Sequence, residues 1–307
     1  MKGLYVVGLI VLFLLMPLAV YPASIDGAET LGQERFEIGV ENEVVFDRDI
    51  KAKTYSISDS WSGDVTVYYG DAEIDITGAT IDYVYSETDR PDIDKLYRPV
   101  VKATYGLYDN LDLYIKLGAA DGETKGGSLH AELNGSATNV SIDGVDYGAA
   151  AVGLTLDATR KYELKYAFLF GIGLKGTYPL EKGWLLGLDA SYLHHRNSYT
   201  GKINFALTGD ITAVDEVSFT GKMTFQEWQF APYIAKKLDK IIPYLGVKYS
   251  KLTLTDDYEN QKDKYRSDDN FGVFLGTDYK LNDSWSFNLE GRFVDETAMS
   301  FAAKYKF

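Results

Sequence analysis

The chain has 307 residues, a formal net charge of −14 and no cysteine. Its acidic balance excludes the basic footprint that nucleic-acid binding needs, and the lack of cysteine excludes disulfides and thiolate-bound metal ions. Tyr (24), Phe (15) and Gly (29) are abundant and Pro (7) is scarce, which favours strands and turns. A chain of this length fits one large all-β domain.

The chain begins with a segment that is typical of an export signal. Lys2 supplies a positive charge, Leu4–Val20 an apolar run, and Ala23 or Ser24 a small residue for cleavage. We therefore predict a signal peptide over residues 1–24 and a single mature domain over residues 25–307.

About ten stretches of the mature domain alternate apolar and polar residues with a period of two, which predicts half-buried strands. They are Arg35–Phe46, Tyr97–Leu107, Leu111–Ala119, Tyr162–Leu180, Trp184–His194, Met223–Leu238, Ile241–Leu254, Phe271–Leu281, Trp285–Val294 and Thr297–Phe307. The longest stretch is Tyr162–Leu180. Its apolar residues recur at even positions from Tyr162 and Leu164 to Leu174, and Lys165 is predicted to lie on the opposite face.

Short polar turns join these strands in pairs, with aromatic residues on both sides of the turns. Three turns recur at the same spacing, around Asp109, Lys182 and Asp283, and Leu238–Ile241 forms a tighter one. This arrangement predicts the periplasmic rim of a membrane barrel, bordered by an aromatic girdle. The predicted girdle residues are Tyr105, Tyr178, Trp184, Tyr279 and Trp285.

The other connections are long and polar, which predicts extracellular loops. They are Asp47–Leu96, Ala120–Lys161, Asn197–Lys222 and Thr255–Asn270, and a fifth, at Asp295-Glu296, is short. Within them Val65–Tyr69, Glu73–Ile76, Leu129–Leu133 and Ile203–Leu207 still alternate. We expect these segments to form strand pairs above the membrane. The alternative is a larger barrel of about twelve or fourteen membrane strands.

The polar faces of the predicted strands carry charges of both signs, which we expect to line the lumen. They are Glu37, Glu41, Glu43, Arg98, Lys102, Asp112, Lys116, Lys165, Lys175, Asp189, Glu227, Lys248, Asp278, Lys280, Glu290, Arg292, Lys304 and Lys306. Barrels of about eight strands are filled by side chains and open channels have about sixteen, so a lumen filled by mutually neutralising charges is favoured. A narrow open pore is the alternative. Closure is expected to bring the first strand's glutamates beside the last strand's lysines.

The sequence offers little for catalysis. His130 falls in a loop, and His194 and His195 are predicted to be polar aromatics at the membrane interface. Asp256-Asp257 and Asp268-Asp269 favour a solvated loop face over a catalytic pair. We predict no catalytic residue, no metal site, no cofactor and no enzymatic activity. An omptin-like enzyme and a surface adhesin that uses the long loops remain as alternatives.

The last strand ends the chain on an aromatic residue. Met299, Phe301, Ala303, Tyr305 and Phe307 share one face of it. This motif resembles the C-terminal signal of bacterial outer-membrane β-barrels, in the style of the small OmpA-like and OmpW-like proteins. The resemblance implies a closed antiparallel barrel in the Gram-negative outer membrane, surrounded by lipid. It also implies recognition of Phe301, Tyr305 and Phe307 by the barrel-assembly machinery.

For function, the resemblance and the charged lumen together predict an envelope-structural role or slow passage of small solutes. An open porin for small solutes is the alternative, and surface partners of the long loops are a further expectation.

Overall fold

The computed structural model describes residues 27–69, 72–137, 139–142, 144–146, 150–209, 213–258 and 261–307. The predicted signal peptide lies outside these residues. A single 3-10 turn, Glu181–Gly183, is the one helical element among them, and all other elements are strands. No helix in the described part of the chain is long and apolar enough to cross a membrane.

Within the described residues, sixteen strands form one antiparallel sheet. In chain order they are β1 (Phe36–Asp47), β2 (Lys53–Tyr69), β3 (Ala72–Asp89), β4 (Asp92–Tyr97), β5 (Val100–Tyr108), β6 (Leu111–Ala137), β7 (Asn139–Ile142), β8 (Val145–Asp146), β9 (Ala150–Pro179), β10 (Trp184–Gly209), β11 (Ala213–Lys236), β12 (Ile241–Tyr258), β13 (Gln261–Arg266), β14 (Phe271–Lys280), β15 (Trp285–Phe293) and β16 (Thr297–Lys306).

Ten of these strands close into a ring. Their order is β1, β5, β6, β9, β10, β11, β12, β14, β15 and β16, and β16 pairs again with β1. β4 continues the line of β5 beyond Arg98 and Pro99 and also pairs with β1 and β6. The predicted barrel of about ten strands is therefore confirmed, and its closure leaves the ring without an unpaired edge.

The closing pair has a defined register. Glu37 lies opposite Lys306, but Glu41 lies opposite Ala302 and Glu43 opposite Ser300. The first and last strands are neighbours as predicted. The expectation that the first strand's glutamates lie beside the last strand's lysines is confirmed for Glu37. It is wrong for Glu41 and Glu43, because the register places them opposite residues two and four positions before Lys304.

A β-bulge in β9 changes which face its residues occupy. The pairing of β9 with β10 shifts between His195 and Tyr199, where β9 contains an extra residue near position 166. Beyond the bulge Leu164 is only 5% exposed, whereas Lys165 is exposed. The prediction that Lys165 lines the lumen is therefore wrong. An extra residue reverses the inward and outward parity of every residue that follows it.

Several strands continue beyond the membrane ring into an extracellular extension. β2 and β3 form a hairpin that joins the upper part of β6, and β13 folds back on β12. All four alternating loop segments lie within strands of this extension. Strand pairs above the membrane are therefore confirmed, and the alternative of a ring of twelve or fourteen strands is wrong for the part of the chain described.

A band of exposed apolar side chains surrounds the ring. Its members include Phe36, Ile115, Leu117, Phe170, Ile172, Leu174, Leu186, Leu188, Phe230, Ile234, Leu245, Val247, Val273, Leu275, Leu289, Phe293 and Met299. Such a surface is too large to face water, so it requires an apolar medium. The turns lie below it, and the extracellular extension lies above it.

Aromatic residues border the band at both ends. On the turn side lie the predicted girdle residues, of which Tyr105, Tyr178, Trp184 and Tyr279 are exposed and Trp285 is half-buried against Tyr305. A second girdle, which we did not predict, consists of Tyr166, Tyr192, Trp228, Tyr249 and Phe271. From Tyr166 to Tyr178, at about 3.3 Å per residue and a tilt of about 40°, β9 rises roughly 30 Å, the thickness of a bilayer core.

Candidate functional site: the barrel lumen

A layer of buried ion pairs crosses the lumen at the level of the second girdle. We call it the ion-pair layer. It contains the cations Arg48, Arg98, Lys248 and Arg292 and the anions Glu43, Glu227, Asp295 and Glu296. None of these side chains is more than 8% exposed. The four cations balance the four anions, so the layer is formally neutral.

Glu43 of β1 binds two arginines of this layer. Its carboxylate accepts hydrogen bonds from Arg98 at 3.0 Å and from Arg292 at 2.9 Å. Arg98 also approaches Glu227 at 3.2 Å. The alternation of β1 directs Glu43 inward, and the adjacent ends of β4 and β15 supply its two arginines.

Arg48 spans the lumen from just beyond β1. Its Nη1 atom donates to Glu227 at 2.5 Å and to Glu296 at 3.1 Å, and its Nη2 atom donates to Ser250 at 2.7 Å. Lys248 binds Glu296 and lies 3.0 Å from Asp295. Because several carboxylates surround each cation, the desolvation of these charges is offset by mutual attraction in a low-dielectric interior.

An apolar layer lies directly above the ion-pair layer. Its buried members are Val45, Ile50, Ile93, Leu96, Tyr162, Leu164, Tyr199, Met223, Phe225, Leu252, Leu254, Tyr265 and Ala298. Alternate residues of β11 and β12 face inward. Four of them belong to this layer and are each at most 1% exposed: Met223, Phe225, Leu252 and Leu254. The outer mouth of the lumen is therefore closed by packed side chains.

The periplasmic half of the lumen contains a segment of the chain that precedes β1. Ala28 is fully buried, and its backbone N–H donates to Asp278 at 2.6 Å. The N–H of Leu31 donates to Asp112 at 3.0 Å, and Lys175 donates to the carbonyl of Gly27 at 2.8 Å. Predicted lumen charges thus fix this segment, residues 27–31, inside the barrel.

A cavity of about 530 Å³ remains beside that segment, at the periplasmic mouth. Its lining includes Glu37, Lys280 and Lys306, which are half-buried. Deeper in the lumen Lys116 binds Glu41 at 2.9 Å, and Tyr114 donates to Asp189 at 2.8 Å. These contacts narrow the lumen between the cavity and the ion-pair layer.

Most of the charges predicted to line the lumen are buried. These are Glu41, Glu43, Arg98, Lys102, Asp112, Lys116, Lys175, Asp189, Glu227, Lys248, Asp278, Glu290, Arg292 and Lys304. Sequence reasoning missed Arg48, Asp295 and Glu296, which lie in connections that we expected to face the solvent. The brevity of the Asp295-Glu296 connection was the available signal, because a two-residue turn at the rim leaves little length to avoid the lumen.

The terminal strand, β16, is paired on both sides, with β1 and with β15. The N–H of Phe307 donates to the carbonyl of Phe36 at 2.9 Å, and the two rings lie 5.7 Å apart. The side chain of Phe307 is 66% exposed on the lipid side. The assembly-signal role of Phe301, Tyr305 and Phe307 stays a prediction.

The histidines occupy three different environments. His195 is 1% exposed and stacks on Phe225 at 4.4 Å, so its predicted position at the membrane interface is wrong. His194 is half-buried on the outer face, just above the second girdle. His130 lies on the extension, where its Nδ1 atom is 2.6 Å from Asp157. That hydrogen bond, and a second to Glu132, raise the pKa of His130.

The pairing of β6 with β9 places Asp157 opposite His130. The two residues are far apart in the sequence, so no local spacing predicts this contact. The side chains of His130, Glu132 and Asp157 are 41%, 44% and 60% exposed, as expected for a surface ion pair. The side chains of Asp256 and Asp257 have different partners: Asp256 accepts a hydrogen bond from the hydroxyl of Tyr199, and Asp257 binds Arg196 at 2.8 Å.

The closed antiparallel ring, the apolar band and the two aromatic girdles together define a class of protein. The chain is an outer-membrane β-barrel protein whose lumen contains buried and mutually paired charges.

Comparison with known proteins is consistent with this class. The chain is 21% identical over 344 aligned residues to the "Major outer membrane porin" of Chlamydia pneumoniae, covering 88% of this chain and 84% of that protein. No protein-family model matches the chain. Resemblance to the OmpA-like and OmpW-like barrels in particular stays an expectation.

Solved structures of outer-membrane proteins align along most of the chain. The outer membrane protease OmpT from Escherichia coli covers 92% of this chain and 100% of its own, with a TM-score of 0.37 and 14% identity. The toluene transporter TodX from Pseudomonas putida covers 94% and 95%, with a TM-score of 0.35 and 10% identity.

Proposed function

We propose that the protein is an outer-membrane barrel that is closed at rest and passes ions and small solutes only slowly, when its lumen side chains rearrange. The observation that carries this proposal is the ion-pair layer, because eight buried and mutually paired side chains occupy the lumen at that level. A permanently open porin would require a gap in this layer. The similarity to a chlamydial protein named as a porin supports a role in passage rather than a purely structural one.

We propose no enzymatic role. The His130–Asp157 couple lies on an exposed strand face, outside any described cavity that would exclude water from a reaction. A protease or esterase assay on the refolded protein tests this part of the proposal. Hydrolysis that is lost in His130→Ala or Asp157→Asn would contradict it.

Liposome swelling tests the proposed passage. Proteoliposomes in arabinose should swell hardly faster than empty liposomes, because the resting lumen is closed. The double variant Arg48→Ala/Glu227→Ala removes one cation and one anion and should swell faster, because a weakened ion-pair layer makes the rearrangement of the lumen side chains easier. The matched control is Lys161→Ala/Glu123→Ala, which removes an exposed ion pair. Rapid swelling of the wild type, or equal rates in both variants, would contradict the proposal.

A further inference from the structure

A cavity of about 400 Å³ opens on the extracellular side, above the apolar layer. The described strands β2, β3, β9, β10, β11, β12 and β13 all contribute to its wall. We call it the outer cleft. Its volume lies in the range of small-molecule sites, and it is built on paired strands rather than on irregular loops.

Aromatic rings form one part of the outer cleft. Tyr162 and Tyr265 are each 4% exposed, and Tyr55, Phe219 and Tyr258 complete the set. Phe219 packs edge to face against Tyr162 at 5.9 Å and against Tyr258 at 5.2 Å. These contacts fix the rings before any ligand arrives. A wall of fixed rings attracts cations because the face of each ring is electronegative.

Carboxylates form the other part. Glu87, Asp89, Asp256 and Asp263 line the outer cleft, whereas Arg160 is the one cation in its described lining. Arg160 binds Glu87 at 2.7 Å and lies 3.7 Å from Asp89. The side chain of Asp256 accepts a hydrogen bond from the hydroxyl of Tyr199 at 2.8 Å. The lining therefore carries an excess of negative charge beside its rings.

The ammonium group of Lys53 already contacts both a ring and a carboxylate at this wall. Its Nζ atom lies 4.4 Å from the centre of the Tyr265 ring and 2.8 Å from Asp263. The aromatic face and the carboxylate thus act together on one cation at the rim of the outer cleft. A carboxylate and aromatic rings also meet deeper in the lining, where Asp256 accepts a hydrogen bond from Tyr199 and the Tyr199 ring packs edge to face against Phe219 at 6.0 Å.

We propose that the outer cleft binds a small organic cation, an amine or a quaternary ammonium compound, with its charged nitrogen near Asp256 and against the rings of Phe219 and Tyr258. The aromatic wall favours an organic cation over a metal ion, which prefers oxygen ligands on several sides. Met223, Phe225 and the rest of the apolar layer separate the outer cleft from the lumen. Binding is therefore independent of passage through the barrel, and this proposal does not depend on the proposed function.

The charge state of Asp256 gives the site a pH dependence. Burial, together with Asp89 of β3 and Asp263 of β13, raises the pKa of Asp256 to about 6, against the opposing hydrogen bond from Tyr199 of β10. Glu87 and Arg160 are the other charged groups of the lining. A cation should bind more weakly as the pH falls below about 6, because protonation removes the negative charge of Asp256.

Calorimetric titration of the refolded protein in a zwitterion-free detergent tests the proposal. The probes are choline, tetramethylammonium and spermidine, and 3,3-dimethylbutanol serves as the uncharged isostere of choline. We expect saturable binding of at least one cation, with the isostere at least tenfold weaker. Asp256→Asn and Phe219→Leu should each weaken binding of that cation at least tenfold.

The control variant is Glu123→Gln, which removes one negative charge from an exposed ion pair with Lys161 outside the cleft lining. It should bind as the wild type does. Slower migration of boiled than unboiled samples on gels verifies that each variant is folded. No saturable binding of any probe, equal binding of the isostere, tighter binding of Ca²⁺ than of every probe, or unchanged affinity in Asp256→Asn would overturn the proposal.

Discussion

Glu43 holds together the region where the barrel closes. Its carboxylate binds Arg98 beside the second strand of the ring and Arg292 on β15, and the side chain of Glu43 is 1% exposed. If the carboxylate lost its charge, both arginines would stay buried with one anionic partner fewer. Removing one member of a buried ion pair is costly for this reason, even where the intact pair adds little to stability.

We expect Glu43→Gln to lower the free energy of unfolding by about 3 kcal/mol, because the amide retains the shape of the side chain but not its charge. Urea unfolding of the folded barrel in lipid vesicles, followed by Trp fluorescence, measures the change. The matched substitution Glu123→Gln, in an exposed ion pair, should cost less than about 1 kcal/mol. Equal losses in the two variants would refute a stabilising role for the ion-pair layer.

Individual residues differed in how far the sequence could place them. Strict alternation along β1, β11 and β12 was enough to direct Glu43, Glu227 and Lys248 inward. Arg48 and Glu296 lie in connections between strands, where no period of two applies. Their position in the lumen is therefore visible only in the structure. The partners of Arg48, which are Glu227 and Glu296, lie far along the chain, so no local pattern contains these contacts.

At the scale of the element, β9 shows the limit of periodicity. Apolar residues continue at even positions through the bulge, so the pattern gave no sign that the facing changes. Below the bulge Phe168 and Phe170 face lipid, whereas above it Tyr162 and Leu164 are buried in the apolar layer. A bulge inserts one residue without a required residue type, and cross-strand pairing alone reveals it.

The bulge predicts opposite tolerances at two adjacent positions. Leu164→Glu should destabilise the barrel strongly, by several kcal/mol, because it buries a carboxylate in an apolar cluster. Lys165→Glu should change stability by less than about 1 kcal/mol, because the side chain faces the solvent. Urea midpoints of the two variants provide the measurement. If Lys165→Glu proved the more harmful, the bulge would be misplaced and the simple alternation would hold.

At the scale of the whole molecule, the lumen is obstructed at three successive levels. Residues 27–31 occupy the periplasmic half, the ion-pair layer lies level with the outer girdle, and the apolar layer closes the outer mouth. The ring count and the polar lumen followed from sequence alternation, and the position of the terminal strand followed from its last residues. The sequence did not predict the obstruction by residues 27–31. That segment has no strand pattern, and its burial depends on Asp112 and Asp278 across the lumen.

The measurement that tests the closed barrel most directly is the current through the refolded wild-type protein in a planar lipid bilayer. The described structure predicts a quiet baseline with rare, brief openings at moderate voltage, because the charged and apolar layers must rearrange before ions pass. Arg48→Ala/Glu227→Ala should open more often, since it removes two of the side chains that fill the ion-pair layer. Steady, long-lived channels in the wild type would contradict the account.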